Sequence, residues 1–207
     1  MDEFQAKRIA AAEQQLRDAL TARDTSLAQG RVEEGLFAAV SAAQRALAAA
    51  KGEEYAVPFD IGVVPEAAVS EAMLLQTEDS AVLTFSGTQR DCDGRMASVG
   101  YAVVELERCV ITKFGYPNDE ARPGHPLAER GLDSYGVFEV VGSRWVKGLT
   151  LQNRKIFPKT EESTQRHFIF AFHDSTFECV AAGVRASVST EPIRDTLSGL
   201  LAKLLTM

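Results

Sequence analysis

Apolar positions along this chain recur with two periods, and the change from one to the other divides it. Between residues 2 and 22, Phe4, Ile9, Ala12, Leu16, Ala19 and Leu20 fall at helical spacing, and between 25 and 50 Val32, Leu36, Val40, Ala43 and Leu47 do the same. The pattern predicts two amphipathic helices joined through Thr21 to Asp24, with Asp24 or Thr25 capping the second helix, Gly52 ending it, and Gly30 and Gly35 weakening it. Two such Ala-rich helices bury too little to stand alone, so this helical hairpin arm must pack on the rest of the chain or on a second copy. Tyr55 to Pro65 reads as an extended linker, which sets an arm over 1–52 and an α+β domain over 53–207.

Beyond the linker the period becomes two. Strands are predicted near 70–77 and 81–87, over 97–114 as one bent strand or two meeting at Glu107 and Arg108, and over 135–141. Ser143 caps a short helix with Trp145, Leu149 and Ile156 along one side, stopped by Pro158. A last helix opens at Pro192 and carries Ile193, Leu197, Leu200, Leu201 and Leu204 in one stripe. The chain is organised around Arg166 to Gly183, RHFIFAFHDSTFECVAAG, read as a hairpin turning at Asp174 and Ser175 or over Asp174 to Phe177. Either turn places Phe168, Phe170, Phe172, Cys179 and Ala181 on one face and His167, Ile169, Ala171, His173, Glu178 and Val180 on the other. A turn of odd length would drive Glu178 among the phenylalanines, where an unpaired carboxylate is costly. The fold expected is α+β, an antiparallel sheet of five or six strands with the short helix and the C-terminal helix on its apolar face.

Charge sharpens this division. The net charge is −7, yet residues 1–52 hold seven basic and seven acidic side chains, so the excess belongs to the later domain and argues against nucleic acid or anionic lipid as its ligand. Three cysteines without C-x-x-C spacing read as reduced thiols of a cytoplasmic protein. The N-terminus lacks a signal-peptide pattern, and no stretch is long enough to span a membrane. No phosphate loop, dinucleotide fingerprint or nucleophile elbow is present, and no cofactor is expected.

The polar face of the hairpin is where chemistry is expected. Six residues along one strand hold His167 and His173 roughly 20 Å apart, too far to share an ion, and with no local H-x-x-x-H spacing no metal site is assigned. His173 with Glu178 is the candidate acid/base pair, the carboxylate orienting the imidazole. Asn118, Asp119, Glu120 and His125, from the GYPNDE and GHPL segments, join His167, Asp174, Ser175 and Thr176 as candidate ligand-binding residues. Two functions follow. One is a cytosolic module that binds a small ligand or a protein and self-associates, as a dimer, through residues 2–50; the other is a cofactor-free hydrolase or lyase using His173 and Glu178.

The phrases FDIGVVPEA, the NDE of Asn118 to Glu120, GHPL at Gly124 to Leu127, EVVGSRW at Glu139 to Trp145 and HFIFAFHDSTFEC at His167 to Cys179 together resemble a widespread bacterial family of small proteins with no assigned function. The resemblance runs from about Val57 to the C-terminus and leaves the arm outside. Such proteins often carry a histidine shortly after the asparagine of the short helix, whereas here NRKIFP follows from Asn153, so no role is carried over at that position.

Overall fold

A computed structural model describes residues 2–68 and 70–206. Helix α1 (Glu3–Ala28) runs straight through the link expected at Thr21 to Asp24. The Thr21 and Thr25 hydroxyls donate back to the Arg17 and Thr21 carbonyls at 2.9 and 2.7 Å, so they are satisfied inside the helix and cap nothing. The break falls instead at Gly30, whose φ of 71° favours glycine, and Ser26 Oγ, bonded to Arg31 O and Glu33 Oε1, holds the turn. Helix α2 (Glu34–Lys51) then starts at Glu33 without a side-chain cap and ends, as expected, at a left-handed Gly52.

The ten strands of the described residues form two antiparallel five-stranded sheets. In chain order they are β1 (Tyr55–Pro58), β2 (Val64–Pro65), β3 (Met73–Gln76), β4 (Ala81–Arg90), β5 (Met96–Glu107), β6 (Ile111–Gly115), β7 (Gly136–Val141), β8 (Arg166–Ala171), β9 (Thr176–Ala181) and β10 (Gly183–Ser189). The first sheet has the order β1-β7-β8-β9-β6; the second has β10-β5-β4-β2, with β3 also on β4. The stretch 97–114 is therefore two strands, and Arg108, with φ of 48°, hands the chain from the second sheet to the first. The expected linker is itself pleated: Tyr55–Pro58 pairs with β7, and Pro58 is tolerated because it closes an edge strand.

The α+β class is as the patterning implies, but the phenylalanine face is covered by the second sheet, not by helices. Phe168, Phe170, Phe172 and Phe177 are fully buried together with Leu83, Phe85, Ala102 and Val104. The Phe85 ring stands 5.3 Å from Phe172 and 6.1 Å from Phe170. Each sheet has one broad apolar face, and two such faces bury each other more completely than a short helix covers either. Helix α3 (Arg144–Arg154) lies on the opposite face of the first sheet, where Trp145 meets the His167 ring edge-on at 5.1 Å. Helix α4 (Ile193–Thr206) lies outside the second sheet, tied by Lys203 Nζ to Glu105 Oε1 at 2.6 Å and by Thr196 to Ser189. No helix of the described residues is long and apolar enough to cross a membrane.

A second apolar cluster of Ala56, Leu127, Leu132, Phe138, Val140, Ile169 and Ala171 fills the outer face of the first sheet. The loop after β6 and helix α2 close over it. Gly131 fits there because a Cβ would stand 2.5 Å from both the Ala56 carbonyl and the Arg45 side chain, and Arg130 reaches Glu53 at 3.2 Å. The arm is thus docked on its own chain.

Candidate functional site

The hairpin closes two residues out of the register set by an Asp174–Ser175 turn and four out of that set by the longer one. Phe168 faces Cys179, Ile169 faces Glu178 and Phe170 faces Phe177, while Phe172 N–H donates to Ser175 O at 2.9 Å, so His173 and Asp174 are the turn. An even shift preserves parity, and apart from His173 the apolar and polar faces hold the residues that the alternation assigns to them. It also removes the expected His173–Glu178 pair. Glu178 now lies opposite Ile169 and diagonal to His167, and His173 leaves the strand for the turn. Two clusters replace the single one.

The deeper cluster centres on Glu178. Its carboxylate, 8% exposed, accepts from His167 Nε2 at 3.1 Å and from Lys113 Nζ at 2.8 Å, and His125 Nε2 faces it at 3.8 Å. Lys113 is the direct cross-strand partner of Glu178 on β6. Leu127 N–H donates to His125 Nδ1 at 3.1 Å, which leaves the other ring nitrogen of the neutral imidazole as the proton carrier toward the acid. Ser143 Oγ, 3.0 Å from His167 Nδ1, also accepts from Val146 N–H at 3.2 Å, so the α3 cap orients the histidine that orients Glu178. Burial alone would push the Glu178 carboxyl up, but His125, His167 and Lys113 outweigh it and hold the group far below the ordinary carboxylate range. Three donors are arrayed on this acid, Lys113 and His125 toward Oε1 and His167 on Oε2, so its role is to hold them together.

The second cluster sits at the hairpin turn. Asp119 Oδ2 accepts from His173 Nδ1 at 2.8 Å and from the Tyr135 hydroxyl at 2.5 Å, and Asp119 N–H donates to His173 O at 2.9 Å. The bond from Tyr135, reinforced by His173, holds Asp119 below the usual carboxylate range, and the same bond raises the Tyr135 phenol. Arg122, in a residue only 2% exposed, donates through Nη2 to Phe172 O, while its Nε and Nη1 have no partner among the described residues. Burial lowers the Arg122 pKa, countered by the charges of Asp119 and Asp133. A cavity of about 270 Å³ opens beside it, walled by Asp119, Arg122, Glu129, Leu132, Asp133 and Ser134, with the small side chains of Pro123 and Ala128. Asp119 thus takes the orienting role expected of Glu178, and the His173 side chain remains 42% exposed with Nε2 turned from Asp119. No side-chain nucleophile among the described residues bonds that nitrogen.

The remaining candidates divide between framework and surface. Asn118 Oδ1 caps the turn at Ala121 N–H, and Thr176 Oγ1 donates to Pro117 O at 2.8 Å, which fastens this loop to β9. Glu120 and Asp174 are exposed, and Ser175 contributes its backbone carbonyl. Lys113, Arg122 and Tyr135 were not anticipated, and Ser143 was anticipated only as the cap of α3, which it is. Lys113 follows once β6 is paired with β9, whereas Arg122 lies in a loop whose path no periodicity describes, and Tyr135, expected to open a strand, stands just before β7. Two further cavities, of about 370 and 320 Å³, flank α3 and share Val146, Thr150, Ser163 and Gln165. Among the described residues no group of three His, Cys, Asp or Glu side chains is disposed to hold a metal ion. Comparison of the chain with protein families, with curated proteins and with solved structures finds no match.

Proposed function

We propose that this protein is a cytosolic small-ligand-binding module whose site is the cavity beside Arg122. The observation that carries the reading is the buried guanidinium with two unpartnered nitrogens. Charged donors left unused in a buried position are costly, and a carboxylate oxygen entering the cavity supplies the acceptors they lack. The cavity, about 270 Å³, is of a size for a small metabolite. Of the NDE segment Asp119 lines it, and the residues on either side of GHPL, Pro123 and Ala128, complete that wall. Glu178, His167 and Lys113 act as the support: their mutual bonds fix β6, β8 and β9 beneath the loop. Self-association belongs to the same reading, through the exposed Phe4, Val32 and Phe37 of the arm.

The test is a titration with sodium acetate, the minimal carboxylate, followed by the Arg122 Nε–Hε and Tyr135 resonances. A saturable shift at Arg122 that is lost in Arg122→Lys is the expected result. Linear or absent shifts in the wild-type protein overturn the reading without recourse to any variant.

A further inference from the structure

We infer that the ligand is a small zwitterion, its carboxylate on Arg122 and its ammonium group between Glu129 and Asp133. The inference rests on the binding reading above and adds the second charge. The cavity wall carries one buried cation and three carboxylates, from Asp119, Glu129 and Asp133. Asp119 is taken, since its Oδ2 already receives Tyr135 and His173. Glu129 and Asp133 are exposed, and neither forms an ion pair among the described residues; Asp133 gives only Oδ1 to its neighbour Ser134 N–H at 2.8 Å. They stand on either side of Leu132, itself 6% exposed, in the short segment that rims the cavity.

This distribution selects by charge. A dianion such as phosphate entering toward Arg122 meets two acidic side chains on its way, and like charges at short range disfavour it. A simple amine satisfies the rim but leaves Arg122 unpaired and faces its charge. A molecule with both groups meets complementary charge at each end. Leu132, Pro123 and Ala128 offer apolar surface for a short side chain beside them. An α-amino acid with a small side chain combines these properties within the volume available.

The experiment compares acetate, methylammonium, glycine and alanine on the full chain, by calorimetry and by the Arg122 Nε–Hε shift. Glycine and alanine are expected to bind about tenfold tighter than acetate, since a charge-assisted hydrogen bond contributes on that scale. That difference is expected to disappear in the double variant Glu129→Gln, Asp133→Asn, whose two positions are exposed and leave the core untouched. If acetate binds at Arg122 as tightly as glycine, the zwitterion inference is overturned while the binding module stands. If none of the four moves the Arg122 resonance, both fall together.

Discussion

The Glu178 carboxylate lies 3.1 Å from His167 Nε2 and 2.8 Å from Lys113 Nζ, and the two strands that carry these donors flank the one that carries the acid. One buried negative charge thus ties β6, β8 and β9 across their outer face, and His125 brings the GHPL loop down upon it. Such a charge is tolerable only while its donors remain, because an unpaired ion in this position would lose its hydration without return.

Stability should therefore depend on Glu178 in acid. Its carboxyl is held below its unfolded value, so the unfolded chain binds the proton more readily. The stability it confers is full above the unfolded carboxyl value of about 4.3 and is lost as pH falls from there toward the folded value. Urea melts at a series of acidic pH values are expected to show a falling midpoint. Glu178→Gln should lose about 1–3 kcal/mol at neutral pH and show a flatter acid limb. An acid limb of unchanged slope in the variant would remove Glu178 from this role.

Tyr135 offers a separate handle on the turn cluster. Its phenol is raised chiefly because the protonated hydroxyl donates to Asp119, and the carboxylate charge opposes the phenolate further. Asp119→Asn weakens both effects, so the Tyr135 phenolate should appear at lower pH than in the wild type. Alkaline ultraviolet titration, with Tyr135→Phe subtracted to isolate this residue, measures it. An unshifted midpoint would mean the hydrogen bond is not made in solution.

The core prediction follows from the two-sheet packing. Phe170 is fully buried between the Phe85 and Phe177 rings, so Phe170→Ala should cost about 3–5 kcal/mol. Phe114 also packs on Phe177, at 5.8 Å, but is 40% exposed on edge strand β6. Phe114→Ala should cost about 1–2 kcal/mol, since only part of its surface leaves water. Denaturant melts that ranked these two in the opposite order would contradict the packing.

What the sequence discloses and what it hides separate along physical lines. Alternation determines which residues share a face, and it placed Phe168, Phe170 and Phe172 correctly because parity survives a shift of two. Register is set by the turn, and His173-Asp174 is as good a turn pair as Asp174-Ser175, so the partner of Glu178 was misassigned from Lys113 and His167 to His173. Two edge strands were missed for a related reason: β1 of the first sheet and β2 of the second are short, contain Pro58 and Pro65, and look like linker until pairing supplies their hydrogen bonds. Arg122 was invisible because a loop arginine carries no sign of burial; only the folded path around Leu127 and Leu132 encloses it.

The arm permits a test that separates packing in cis from association in trans. Ala43 is fully buried on α2. Ala43→Leu in the full chain should lose about 1–3 kcal/mol by overpacking, with no change in the mass of the folded species. Phe4 and Val32 are 69% and 76% exposed, so serine at both leaves cis packing intact and should not lower the denaturation midpoint. If these side chains meet a second copy, that double variant should instead halve the mass seen by light scattering, as expected for a two-fold dimer. A wild-type protein that already scatters as a monomer would refute self-association through the arm, while the Ala43→Leu result would still report on the packing of α2.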